Sequence, residues 1–245
     1  MDRIEQELRE ELAACYRVFA HLGWTELIFN HISLRLPGPD HHFLINPFGL
    51  RYDEVTASNL LRIDLDGNVL SDSEYGFNPA GFIIHSAIHA ARGEDASAVA
   101  HTHTTAGQAI AGVEEGLTYN GFQSSQMAGQ VAYHDFEGVT VVPDEQERLV
   151  ASLGDKPYLI LRNHGLLTVG PTVATCWWRM WQIQRACEVQ VAVSAMNSKP
   201  IELSPEVRDS AAKTGSSGNP SSSVPQMTFD ALVRVIEAED PSYKN

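Results

Sequence analysis

A chain of 245 residues with 43% hydrophobic content is long enough to bury one sizeable core, so one compact domain followed by a tail is the expected organisation. With 31 acidic against 17 basic residues the formal charge is -14, a field that repels phosphate backbones and anionic lipid and so argues against nucleic acid and membrane surfaces as partners. A small anionic substrate is not excluded, because a metal ion dominates the potential of its own site.

The first seven residues are charged where a secretory signal would be apolar, and no window approaches the roughly 20 apolar residues of a membrane span, so a cytoplasmic protein is expected. From residue 5 to 22, Leu8, Leu12, Cys15, Val18, Phe19 and Leu22 recur at mostly three- and four-residue steps, which predicts an amphipathic helix closed by Gly23. Short strands are expected at 32–36 and 43–45, with Asn46-Pro47-Phe48-Gly49 as a turn, and residues 61–65 before Asp66-Gly67-Asn68 read as one arm of a hairpin. Pro79 opens a helix over 80–92, a strand follows at 97–104, and a second helix at 106–113. Strands at 131–134 and 139–142, a helix at 145–153, a buried strand at 158–162 and a long helix at 172–196 complete the periodic region. This irregular alternation favours a layered α/β domain and leaves the strand directions open. The three cysteines, Cys15, Cys176 and Cys187, are odd in number and widely spaced, and read as reduced core thiols rather than a disulfide framework.

Beyond residue 197 the composition shifts towards Ser, Gly and Pro, most strongly over 210–226, and a helical pattern returns over 228–238 through Phe229, Leu232, Val233 and Ile236. The expected division is a domain over 1–200, a linker over 201–227 and a helical tail over 228–245 that docks on the domain or on a neighbouring subunit.

His101-Thr102-His103 falls in a strand-like segment, where side chains two apart share a face and two imidazoles can converge on one ion. From spacing alone the pair is either a metal site or two half-exposed histidines on a sheet edge. His164 sits at the end of an apolar strand just before Gly165, where a side chain can emerge from the core into a cleft, or simply cap a turn. Three neutral imidazoles leave coordination positions open and suit zinc, manganese, iron or cobalt better than magnesium.

The stretches Gly81-Phe82-Ile83-Ile84-His85, Ala100-His101-Thr102-His103-Thr104, Tyr133-His134-Asp135 and Leu161-Arg162-Asn163-His164-Gly165 resemble the class II aldolase/adducin family. Gly23-Trp24-Thr25-Glu26-Leu27-Ile28-Phe29-Asn30-His31 and Asn46-Pro47-Phe48-Gly49-Leu50 extend the resemblance over about residues 5–195, closer to the adducin head than to the sugar-phosphate aldolases. It implies a three-layer α/β/α sandwich around a mixed, largely antiparallel sheet, a homotetramer with sites at subunit interfaces, and one divalent ion held by His101, His103 and His164. The same resemblance exposes a departure: Gly81 stands where the aldolases carry their acid/base glutamate, and Pro79-Ala80 replace phosphate-binding hydroxyls. Asn30-His31-Ile32-Ser33 likewise departs from the family's phosphate loop.

If a proton must still be moved, the candidates are His31, His85, Glu26, Tyr119 and Tyr133. His31 lies in the former phosphate loop, and its alternative role is a structural hydrogen bond. His85 and His89, four apart on one helix, can pair on a metal or pack. Glu74 reads as a solvated loop residue. Tyr119 is the expected tyrosine lent to a neighbouring subunit, and Trp177, Trp178 and Trp181 at helical spacing read as core or interface. The leading expectation is a metal-dependent carbon–carbon lyase, decarboxylase or aldolase, acting on a non-phosphorylated hydroxy or oxo acid. The alternatives are an iron-dependent oxygenase on the same fold and a non-catalytic adducin-like scaffold.

Overall fold

The computed structural model describes residues 3–138, 144–216 and 223–245. Helix α1 (Arg3–His21) buries Leu12, Cys15, Val18 and Phe19 along the predicted stripe. Its Arg9, paired with Glu5 at 2.9 Å, donates to the Ala57 and Leu60 carbonyls at 3.1 and 2.8 Å. Three strands follow as an antiparallel meander, β1 (His31–Arg35), β2 (Phe43–Ile45) and β3 (Leu61–Ile63), and Ile63 bridges Val69 where the hairpin arm was expected.

Helix α2 (Pro79–Ala91) starts as its sequence dictates: Asn78 accepts from the Ala80 N–H at 3.1 Å, and Pro79 occupies a position where a missing N–H costs nothing. Next come β4 (Ala98–Thr102), α3 (Thr105–Ala111), α4 (Phe122–Gln126), β5 (Val131–His134), α5 (Glu145–Leu153), β6 (Tyr158–Leu161), β7 (Gly165–Gly170), α6 (Val173–Ala195), α7 (Pro205–Ser216) and α8 (Val224–Glu239).

Among the described residues the strands form one seven-stranded sheet in the order β3-β2-β1-β4-β7-β6-β5, in which only β5 and β6 run parallel. Strand alternation divides the core. Ile32, Leu34, Ala98, Ala100, Ile160 and Leu166 face a layer built from α1, α3, α6 and α8. Val99, Leu159, Leu161, Leu167 and Val169 face α2 and α5 through Ile84, Ile88, Leu149 and Leu153. The result is the expected three-layer α/β/α sandwich around a mixed, largely antiparallel sheet. No described helix is long and apolar enough to cross a membrane.

Three differences from the sequence reading have physical causes. The strand read at 158–162 is β6, ending at Leu161, and a strand the pattern did not mark, β7, follows the Arg162-Asn163-His164 turn and returns antiparallel beside it. Residues 205–216, expected as linker, are helical, because Pro205 and Glu206 suit a first helical turn and the strongest Ser/Gly/Pro bias begins only in the helix's second half. A Cβ at Gly215 would lie 2.2 Å from the Gln126 carbonyl, so that glycine permits the close approach of α7 to α4, a short helix the sequence pattern did not mark. The strand expected at 139–142 lies outside the described residues.

The tail docks on its own domain. Phe229 of α8 packs against Trp177 with ring centroids 5.8 Å apart, and the Ala57 N–H donates to the Tyr243 carbonyl at 2.8 Å. Trp177 is a core residue and Trp178 stacks on Trp181 at 4.9 Å, partly buried against the same cluster.

One buried hydroxyl ties α1 to the strand that will carry the site. Tyr16 Oη accepts from the Ile32 and Asn46 N–H groups at 2.9 and 3.1 Å, and its own hydrogen faces the Ile32 carbonyl and Asn46 Oδ1. Tyr16→Phe is expected to cost about 2–3 kcal/mol in urea unfolding, since it strands two buried N–H donors. A loss below about 0.5 kcal/mol would show that Tyr16 contributes packing alone.

Candidate metal centre

Five strand ends meet at one end of the sheet: β1 begins there, β4, β5 and β6 finish there, and β7 leaves from it. His101 and His103 project from the end of β4 on the α2 side. His31 opens β1 directly opposite His101 in the antiparallel register, so their rings share that face with centroids 5.0 Å apart. His164 arrives from the turn between β6 and β7. The left-handed conformation in that turn belongs to Asn163, at φ +53°, and not to Gly165. Gly165 serves close approach instead: a Cβ there would fall 2.3 Å from the Thr102 carbonyl.

The three Nε2 atoms converge. Their separations are 2.7 Å between His101 and His103, 2.9 Å between His103 and His164 and 3.2 Å between His101 and His164. His101 Nδ1 lies 2.9 Å from the Leu166 carbonyl, which can only accept, so Nδ1 carries the proton and Nε2 presents a lone pair to the other two rings. Ligand nitrogens about 2.05 Å from a transition ion sit about 2.9–3.3 Å apart, depending on the angle between them. The 2.9 and 3.2 Å separations fall within that range and the 2.7 Å one lies just below it, and these residues form a group able to hold a metal ion.

Burial reinforces the neutral, ligating form. It is the first cause pushing His101 well below the ordinary imidazole value, followed by the neighbouring histidines, and it takes His164 down to about 4. His103 is also lowered by burial, against the pull of the Glu26 carboxylate.

Behind the triad runs a buried polar chain. His31 Nδ1 meets His85 Nε2 at 2.8 Å, His85 Nδ1 meets Ser33 Oγ at 2.5 Å, and Ser33 Oγ meets His89 Nε2 at 2.7 Å. His85 and His89 therefore turn from α2 onto β1, a use that their i, i+4 spacing did not disclose. Gly81 explains the space for it. A Cβ at position 81 would meet the His31 ring at 2.7–3.0 Å, so the imidazole lies where a side chain at 81 would begin. A glutamate at 81 and His31 in this position exclude one another.

Asn30 is the residue whose role the sequence reading missed. It is buried, its amide nitrogen donates to the Trp24 carbonyl at 3.1 Å, and its Oδ1 accepts from the His103 N–H at 3.1 Å. Both ends of the amide are thus committed to holding the 24–30 loop against a ligand strand, where the resemblance placed phosphate recognition. The signal lay in the sequence as Asn30 beside His31, but only the β1–β4 pairing makes it readable. Tyr119, half-buried between α3 and α4, packs on the core, and burial together with the neighbouring Tyr133 raises its pKa. Tyr133 in turn accepts from the Leu117 N–H at 2.9 Å and lies under Arg162 at 4.4 Å. Glu74 is exposed, as expected.

The buried imidazoles dictate a pH response. Burial lowers His31 and His85 well below 6.5 and His89 to about 3. The unfolded chain takes up these protons as pH falls through about 6.5, whereas the folded chain refuses them, so the stability present above 6.5 is lost on the way down towards about 3. Each group contributes at most about 1.4 kcal/mol per pH unit. Urea unfolding of chelator-treated protein between pH 8 and 4 is expected to show this decline, with a shallower slope in His89→Gln. An equal slope in the variant would remove His89 from the account.

A three-layer domain carrying three convergent imidazoles at one sheet end defines a class of α/β/α proteins with a site able to hold a metal ion. Within it, the chain belongs to the Class II Aldolase and Adducin N-terminal domain family, whose model matches residues 10–191. The crystal structure of an aldolase II superfamily protein from Pseudomonas syringae is 42% identical, with a TM-score of 0.94 and coverage of 100% of this chain and 98% of that one. A Caulobacter vibrioides protein provisionally named an aldolase class 2 protein is 45% identical over 98% of this chain and 92% of its own length. Alpha-adducin of Rattus norvegicus is 38% identical over 96% of this chain, which spans 34% of that longer protein.

Proposed function

We propose that this protein is a divalent-metal-dependent carbon–carbon lyase, a decarboxylase or aldolase, acting on a non-phosphorylated hydroxy or oxo acid. The convergence of His101, His103 and His164 Nε2 within 2.7–3.2 Å carries the reading. When bound, the ion supplies Lewis acidity that stabilises the charge left behind as a carbon–carbon bond breaks. The protein's own residues do the rest. His101 holds its tautomer through Leu166, Asn30 holds His103 in place, and His31, backed by His85, is the group that takes or delivers a proton at Nε2 in the space beside Gly81. Tyr119 is proposed to serve a neighbouring subunit's site in a homotetramer.

The absence of phosphate in the substrate is supported by Asn30, both ends of which are already engaged, and by Pro79 and Ala80, which offer no hydroxyl. The test loads the protein with zinc, manganese, iron or cobalt and incubates it with a panel of hydroxy and oxo acids while carbon dioxide, carbonyl products and oxygen are followed. Metal-dependent release of carbon dioxide or aldehyde is expected. Oxygen uptake with iron alone would indicate the oxygenase chemistry instead, and inactivity across the panel would count against any lyase.

The 38% identity to alpha-adducin favours one second reading, a scaffold that uses the same fold without turnover. Capture of a protein partner that survives replacement of all three histidines would establish it.

A further inference from the structure

His103 also lines a cavity of about 340 Å³ that none of the preceding roles uses. Its other polar walls are Thr25 and Glu26 from the loop before β1, Thr104 and Thr105 at the start of α3, and Gln184 and Glu188 from α6, and no lysine or arginine lines it. Of these carboxylates, Glu188 is already engaged, accepting from Gln184 at 2.9 Å and pairing with Arg185 at 2.9 Å. Glu26 is exposed and close enough to His103 to act on its charge. Thr104 caps α3 at the cavity's edge, its Oγ1 accepting from the Gly107 N–H at 3.3 Å and donating to Gln184 at 2.6 Å.

The wall is also held in register with the ligands. Asn30 ties the Trp24 carbonyl to the His103 N–H, and Leu27 sits at φ +50° with its side chain 69% exposed, a conformation no leucine adopts for burial. A group bound at the triad and extending past His103 would meet the Glu26 carboxylate and the Thr25 and Thr105 hydroxyls.

We propose that this cavity receives the far end of the substrate and that this end is an uncharged, hydroxylated chain selected by Glu26 and Thr105. The inference rests on the lyase reading for the placement of the acid head at the triad. A vicinal diol donates to both carboxylate oxygens of Glu26, whereas an anionic tail faces like charge with no counter-ion in the wall.

Calorimetric binding to the manganese-loaded full chain tests it with three five-carbon 2-hydroxy acids that differ only at the far end: 2,4,5-trihydroxypentanoate, 2-hydroxyglutarate and 2-hydroxypentanoate. The diol is expected to bind at least about tenfold tighter than the dicarboxylate. Glu26→Gln should narrow that gap and Glu26→Lys should reverse the order; as an exposed loop position, Glu26 tolerates both. Metal-dependent binding with no preference among tails, or a preference untouched by Glu26→Lys, overturns this proposal and leaves the lyase reading standing. A tail preference that persists in chelator supports the cavity and sinks the metal-anchored head. Failure of all three acids to bind overturns both.

Discussion

Each of His101→Ala, His103→Ala and His164→Ala is expected to lower affinity for a divalent transition ion by more than about a hundredfold. Contacts one step removed from a metal cost about 10–100-fold when lost, and these three nitrogens are proposed to be the contacts themselves. The variants should differ in stability. His101 is fully buried and bonded to the Leu166 carbonyl, so its loss also leaves a hole and an unpaired acceptor, whereas His103 and His164 are partly exposed. In the wild type, metal at a thousand times its dissociation constant adds about 4 kcal/mol to stability, and that increment should vanish in all three variants. Metal content by elemental analysis, competition against a chromophoric chelator, and Tm with and without added ion measure the three quantities. A triple variant that kept both the ion and its thermal increment would place the metal elsewhere and remove the basis of the proposed activity.

Where one residue's chemistry was local, the sequence disclosed it; where it depended on a neighbour across the sheet, it did not. The periodicities of α1, α5 and α6 and the spacing of His101 and His103 are properties of single segments, and the structure keeps them. The joining of His164 to that pair depends on β7 lying antiparallel to β4, a pairing between residues more than sixty positions apart. Resemblance supplied it before geometry did. Asn30 and Ser33 are ordinary polar residues in a strand entrance until β1 is set between β4 and α2, when one becomes a brace for His103 and the other a link between His85 and His89. Gly81 was legible as a missing glutamate, but its occupation by the His31 ring was not, because no pattern within a segment reports which side chain fills another's space. Helix α7 was hidden by composition, since its polar, small residues also describe a linker.

Gly165→Ala should damage fold and site together. The added methyl carbon would lie 2.3 Å from the Thr102 carbonyl, 3.2 Å from His103 and 3.3 Å from His101. That carbonyl cannot swing aside, because β4 is locked to β7 through the pairs His101–Leu167 and Thr102–Leu166. Relief requires the two central strands to part where two of the three imidazoles are rooted, so a loss of about 3 kcal/mol or more is expected, at the upper end for overpacking. Gly76→Ala supplies the control, since a Cβ there meets nothing within 4 Å, and its effect should stay within about 0.5 kcal/mol. Spreading β4 from β7 also separates His101 from His164, so metal affinity should fall at temperatures where circular dichroism still reports a folded chain. Wild-type Tm and metal affinity in Gly165→Ala would mean that the strands have slack at this point, and the triad's geometry would then have to be held by something other than the β4–β7 ladder.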